Sequence, residues 1–353
     1  MDWSDGLGSL RRGLGIARRV AAARLREHGA GAPTFPLLKP GLLKPGVLKP
    51  GVLKPGHLKP GHLKPGRPEP DRFVVLPEFG ANPGRLRLRI YLPAVPVHPD
   101  APLIVLLHGC GQDAADFAAD TGWTALADRL GVPLLLPEQQ EANNRQRCFQ
   151  WFQPGETERG HGEAASIAAM VSAATSRFKS DPRRVFVAGL SAGGAMAAAM
   201  LAAYPDLFAA GAVFAGLPVG TATSAVEALV RMASGSPDYP APEWVERARR
   251  VAPQDYAWPW PRLSVWHGDA DQIVAPDNGR KLAAQWCALH GLPDKPTRET
   301  AHHRVWGDAV ELWTLPGLGH AWAIGPGEGR PAQFITPNAV SAVGKIARFW
   351  GVA

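Results

Sequence analysis

The chain has 353 residues, 46% of them apolar, and a formal net charge of +7. That is material for about two domains, or for one large α/β domain with appendages. Residues 1–70 hold thirteen Lys/Arg against four Asp/Glu, which leaves 25 basic and 27 acidic side chains for the remainder, so a nucleic-acid reading of the body loses its main support. Three cysteines, Cys110, Cys148 and Cys287, do not describe a disulfide framework. No run of about 18 apolar residues offers a transmembrane helix.

The N-terminus has arginines but no uninterrupted apolar stretch, because Arg18, Arg19, Arg24 and Arg26 break every candidate. Arg11-Arg12 has the form of a twin-arginine pair, yet no apolar stretch follows it. The expectation is a cytoplasmic protein, with secretion by an unrecognised signal as the alternative. Residues 9–27 have helical periodicity: Leu10, Leu14, Ala17, Ala21 and Leu25 recur at three- and four-residue spacing among arginines. Residues 1–35 are therefore a basic amphipathic segment, able to lie on an anionic or apolar surface or to remain a solvated tail. A perfect five-residue period follows, LLKPG twice, VLKPG twice and HLKPG twice, filling residues 37–66. Proline at every fifth position forbids a long helix, and lysine at the same phase adds self-repulsion. Residues 36–70 are predicted to be a disordered repeat linker, either a spacer or an arm that grips a granule surface.

From residue 71 the texture is that of a folded domain. RFVVLPEF and RLRLRIYLP alternate like antiparallel edge strands. Strands are predicted at 103–109, 132–139, 185–190, 211–216, 263–268 and 310–317, and helices over 113–130, 160–178, 192–204, 277–290 and 337–350. Near-continuous apolar strands alternating with helices mean a mostly parallel central sheet with helices on both faces. Residues 217–262, with Trp244, Trp258 and Trp260, form an insertion too long for a simple connection and a candidate lid.

The stretch Gly189-Leu190-Ser191-Ala192-Gly193-Gly194 stands between a predicted strand and a predicted helix. That is the context of the nucleophile elbow, in which a strained turn lifts a serine clear of the backbone. The fold's chain order then asks for an acid and a histidine, each after a later strand. Asp271 is the chosen acid, with Asp269 the alternative, both in the loop after LSVWHG. Helix capping, the other use for such an aspartate, is assigned to Asp277. His320, in the Gly-rich loop after VELWTL, is the base; His302 and His303 precede that strand and look like surface residues. The loop His108-Gly109-Cys110-Gly111-Gln112 is the expected source of one oxyanion donor, the Cys110 N–H, and the Ala192 N–H supplies the other. His108 shapes that loop rather than moving protons. Trp151, Phe152 and Trp322 are candidates for an apolar acyl groove, with core packing as the competing role.

HGCGQ, NNRQRCFQWF, GLSAGGAMA, HGDADQIV and PGLGHAW, in this order, resemble the poly(3-hydroxybutyrate) depolymerase family of esterases, which is related to feruloyl and acetylxylan esterases. The resemblance covers about residues 72–350 and implies an α/β-hydrolase domain over 71–353, with Ser191, Asp271 and His320 as nucleophile, acid and base. It also places Cys148 opposite the HGC loop, where a Cys110–Cys148 disulfide would pin that loop. Cys287 is expected to be a buried small hydrophobe. No cofactor is implied, and neither the cysteines nor His57 and His62 have metal-ligand spacing. Three functions follow: a polyester depolymerase whose arm, residues 1–66, docks on a granule; an esterase for small acyl or feruloyl esters with a passive tail; and a non-catalytic granule- or membrane-surface binding protein.

Overall fold

A computed structural model describes residues 68–353 of the chain. The basic segment and the whole of the pentapeptide repeat, with His57 and His62, lie outside the described residues.

The sheet has ten strands. Its centre is parallel: β4 (Leu134–Glu138), β3 (Leu103–Leu107), β5 (Val185–Leu190), β6 (Ala210–Phe214), β7 (Arg262–Gly268) and β10 (Val310–Leu315). On one side β2 (Arg87–Tyr91) joins β4 antiparallel and β1 (Phe73–Leu76) follows it, as the alternating sequence predicts. On the other side β9 (His303–Trp306) and β8 (Arg298–Glu299) continue antiparallel. These last two short strands are unannounced by any alternation in the sequence.

The central strands are apolar throughout because both faces are covered. In β3, Leu103, Val105 and Leu107 enter one core cluster while Ile104 and Leu106 enter the other. In β5, Val185 and Val187 face the first cluster, and Phe186, Ala188 and Leu190 the second. The first cluster is completed by α4 (Gly162–Phe178), α5 (Ala192–Ala203) and α8 (Asp277–Leu289), and the second by α1 (Ala114–Asp120), α2 (Trp123–Leu130) and α9 (Ala342–Trp350). Helix α5 is buried all round, which its Ala/Gly/Met composition allows.

The helix predicted over 113–130 is two helices. Gly122 adopts φ 90° between them, and the Asp120 carbonyl accepts from Arg330 N at 2.8 Å instead of continuing the helix. A distant loop thus takes the carbonyl that the next turn would have used. The 217–262 stretch holds α6 (Ala225–Ser234) and α7 (Ala241–Arg249), after α3 (Pro154–Thr157) earlier in the chain. Buried Gln285 of α8 accepts from Val219 N and donates to the carbonyls of Val219 and Trp244, which pins this stretch at two points. Trp244 and Trp260 are buried and Trp258 is exposed. Asp277 is the first residue of α8 rather than its cap; its carboxylate pairs with Arg280 at 2.5 Å and Lys281 at 2.6 Å.

Candidate active site

Parallel strands deliver their following loops to one edge of the sheet. Ser191 leaves β5, Asp271 follows β7 and His320 follows β10, with β6 between the first two and β7 beside β10. Ser191 has φ 58° and ψ −120°, a backbone conformation sparsely populated by residues other than glycine and held here by its surroundings. Its N–H donates to Phe214 O at 2.9 Å, and its carbonyl accepts from Ala195 N at 2.8 Å. The glycines around it are required by approach: a methyl at Gly189 would enter the Gly193 carbonyl, and a methyl at Gly193 would enter the carbonyl oxygens of Leu107 and His108. The start of α5 can therefore press against the ends of β3 and β5, which no larger residue would permit.

His320 Nδ1 meets Asp271 Oδ2 at 2.8 Å. Asp271 Oδ1 accepts from the N–H groups of Ile273 and Val274, both at 2.9 Å. Burial pushes the Asp271 carboxyl up, but hydrogen bonds from His267, His320 and Val274 N outweigh it and hold its pKa below the usual carboxylate range. The carboxylate therefore stays ionised and engages the imidazole through Nδ1, so Nε2 is the ring nitrogen not taken up by Asp271. Asp269, the alternative acid, does different work. Its Oδ1 accepts from Gly317 N at 2.6 Å, and its N–H donates to Leu315 O at 3.1 Å. Asp269 thus ties the His320 loop to the end of β7. Among the hydrogen bonds of the described residues none joins Ser191 Oγ to His320.

The loop after β3 is braced from several sides. His108 is fully buried; its Nε2 accepts from Gln139 N at 3.1 Å, so its Nδ1 carries the proton and donates to Gly109 O at 2.8 Å. Burial lowers the His108 pKa, and with both nitrogens engaged the ring shapes the loop. Cys110 and Cys148 form a disulfide with Cα atoms 4.3 Å apart. Beside it Gly111 N donates to Gln146 O, and Arg147 donates to Gly111 O, each at 2.7 Å. The Cys110 and Ala192 N–H groups take no part in the hydrogen bonds of these turns. Cys287 is buried in α8, and burial pushes its thiol up to about 12.

Trp322, predicted as a groove residue, is fully buried: it stacks on Phe214 with ring centroids 4.1 Å apart and meets Phe117 edge-on at 5.7 Å. It belongs to the core behind the elbow, so the groove reading is corrected. Trp151 and Phe152 are half-buried and edge-on to each other at 5.6 Å. Trp151 packs against a small cluster of Ala195, Leu217 and Val274, which lies beside both the α5 start and the Asp271 turn. Residues 322–337 complete the site from a direction no motif announces. Gln112 accepts from Gly109 N at 2.8 Å and donates to Gln333 O at 2.9 Å, and the Phe334 ring stands edge-on to His320 at 5.5 Å. Strands β11 (Trp322–Ile324) and β12 (Ile335–Pro337) close this excursion as a separate parallel pair.

Among the described residues no group of three His, Cys, Asp or Glu could hold a metal ion, and no helix is long and apolar enough to cross a membrane. Comparison with known proteins matches residues 86–306 to the family described as Esterase PHB depolymerase. Poly(3-hydroxyalkanoate) depolymerase C of Paucimonas lemoignei is 40% identical over 260 residues, which cover 71% of this chain and 62% of that protein. An acetylxylan esterase of Coprinopsis cinerea is 32% identical over 69% of this chain and 68% of its own length. Among solved structures, the acetyl xylan esterase from Aspergillus awamori superposes with a TM-score of 0.69 over 80% of this chain and 99% of its own, at 24% identity, a likeness of fold. With the elbow, the five ordered motifs and the match over residues 86–306 in agreement, the chain belongs to the Esterase PHB depolymerase family.

Proposed function

We propose that the chain hydrolyses carboxylic esters through Ser191, His320 and Asp271, and that its substrate is poly(3-hydroxybutyrate) or oligomers of hydroxyalkanoates. The observation that carries the reading is the 2.8 Å contact of His320 with Asp271 at the sheet edge from which the strained Ser191 also projects. In the first step His320 Nε2 takes the Ser191 proton as Oγ attacks the ester carbonyl. The N–H groups of Cys110 and Ala192 hold the oxyanion, aided by the positive end of α5. Asp271, already ionised, stabilises the imidazolium. The imidazolium then returns the proton to the departing alcohol, and a water activated by the same base releases the acyl group. Trp151 and Phe152 give the acyl chain an apolar wall. The polyester assignment rests on the kinship to a poly(3-hydroxyalkanoate) depolymerase. In this reading the protein is cytoplasmic and residues 1–66 dock it on the polymer granule.

Release of soluble 3-hydroxybutyrate from amorphous polyhydroxybutyrate, measured for the parent chain and for Ser191→Ala, tests this. Release by the parent alone is expected. No release by either protein, with turnover of short acyl or feruloyl esters by the parent, would move the assignment to a small-ester esterase. Deleting residues 1–66 is expected to lower polymer hydrolysis and spare soluble-ester turnover.

A further inference from the structure

We propose that His267 is a positioning residue for the catalytic acid, its Nε2–H shared between the Val274 carbonyl and Asp271 Oδ2 so that the carboxylate is held toward His320. The inference rests on the assignment of Asp271 as the acid.

His267 lies near the end of β7, four residues before Asp271, and is 2% exposed. Its Nε2 is 3.0 Å from Val274 O and 3.3 Å from Asp271 Oδ2. Both neighbours are acceptors, so Nε2 carries the proton. The same turn is closed from within, because Val274 N donates to Asp271 Oδ1. One imidazole N–H therefore meets both the carboxylate and the residue whose own N–H binds the other carboxylate oxygen. With His320 on Oδ2 and two backbone N–H groups on Oδ1, the carboxylate is engaged from three directions and has one orientation left.

Core packing does not account for a histidine here. Nδ1 is buried with no hydrogen-bond partner, a cost that leucine or phenylalanine would avoid. Nδ1 faces the backbone of Gly279, where a methyl group would crowd Nδ1, Cβ and Cγ of the ring. The close approach of α8 thus fixes the ring plane and aims the other nitrogen at the acid. Within the ring it is thus Nε2 that has acceptors and Nδ1 that has none. The titratable groups that share with it the lining of a cavity of about 340 Å³ are Asp269 from the β7 loop and Asp277 and Arg280 from α8; β10 contributes the neutral Thr314. Asp277 and Arg280 pair with each other, and Asp269 is engaged by Gly317 N, so Asp271 is the carboxylate that the Nε2–H serves.

The test uses the full chain and steady-state hydrolysis of a soluble short-chain ester between pH 5 and 9, with His267→Phe, His267→Gln and Asp271→Asn. A carboxylate relieved of one donor attracts the His320 imidazolium more strongly, so the base holds its proton to higher pH. His267→Phe is therefore expected to lower kcat about tenfold to hundredfold, to leave KM within about twofold, and to move the acidic limb of the kcat/KM profile to higher pH. His267→Gln places an amide N–H where the imidazole had one and is expected to restore the limb and most of kcat. If the phenylalanine variant fails to fold, His267→Asn, too short to span to the acid, gives the same comparison with the glutamine variant. A parent-like pH profile in folded His267→Phe or His267→Asn would overturn the proposal. Equal loss in the phenylalanine and glutamine variants with an unmoved limb would do the same and leave a packing role. Full activity in Asp271→Asn would remove the acid assignment, and the role of His267 with it.

Discussion

Cys148→Ser opens the covalent tie between the oxyanion loop and the segment facing it. The Cys110–Cys148 bridge closes a sequence separation of 38 residues, and loop-closure entropy for that span amounts to about 4 kcal/mol at room temperature. For a domain of this size that corresponds to a melting temperature lower by about 10 °C. Activity is expected to suffer less. Asn144 accepts from Cys148 N at 3.0 Å and donates to Cys148 O at 2.6 Å, and the Gly111–Gln146 and Arg147–Gly111 bonds remain. Removing an oxyanion donor outright costs about 10²- to 10³-fold. Here the donor keeps its non-covalent braces, so kcat/KM should fall by about tenfold or less. Differential scanning calorimetry with and without a thiol reductant, on parent and variant, checks the stability figure, and ester hydrolysis in the same buffers checks the activity. A parent insensitive to reductant and a variant melting within about 2 °C of it would refute the entropic reasoning. A hundredfold loss of rate at unchanged melting temperature would show that the hydrogen bonds do not place the loop.

Asp271→Asn keeps the shape but loses the charge and the tautomer control, so kcat should drop by about 10³- to 10⁴-fold in the ester assay. Gly193→Ala should cost at least about 3 kcal/mol in urea unfolding, despite alanine's better helix propensity, because the new methyl meets two backbone oxygens; a parent-like midpoint would mean that α5 can retreat. Trp322→Ala should destabilise by about 3–5 kcal/mol without changing KM, whereas Trp151→Ala should raise KM with a smaller loss of stability. Burial raises the Glu163 carboxyl to about 8, although Gln139 and Gln150 N donate to it. The folded state then holds a proton that the unfolded state releases near the ordinary glutamate value. This contribution is fully present below about pH 4.5 and is lost as pH rises through about 8. The melting-temperature advantage of the parent over Glu163→Gln should therefore shrink steadily over that window.

What was legible in the sequence is what local pattern controls. Buried parallel strands announce themselves as unbroken apolar runs, and β5 lies at the residues predicted for it, Val185–Leu190. The elbow was legible because glycine spacing and strand-to-helix order are properties of contiguous residues. Loop position and chain order admit both Asp271, the preferred acid, and Asp269 in the same loop, and the structure pairs His320 with Asp271. Features set by distant partners leave no such local trace. The break in the 113–130 helix comes from Arg330, about 200 residues away. Trp322 sits two residues from His320 and still points into the core, where its ring meets Phe214, Phe117 and Trp123, all distant in sequence. From sequence His267 is the end of a strand, since nothing in HGDADQIV says that its ring turns back onto its own loop.

The excursion from Trp322 to Pro337 touches two parts of the candidate site at once, Gln333 meeting Gln112 of the loop after β3 and Phe334 meeting His320. Their tolerances are therefore joined. An insertion or deletion between Gly325 and Gln333 is expected to displace His320 and the loop after β3 together. Variation is cheaper where no such double anchoring exists, as along the exposed face of α6 with Val226 and Val230. A chain built this way can drift widely in what its outer surface meets while its reactive geometry stays fixed.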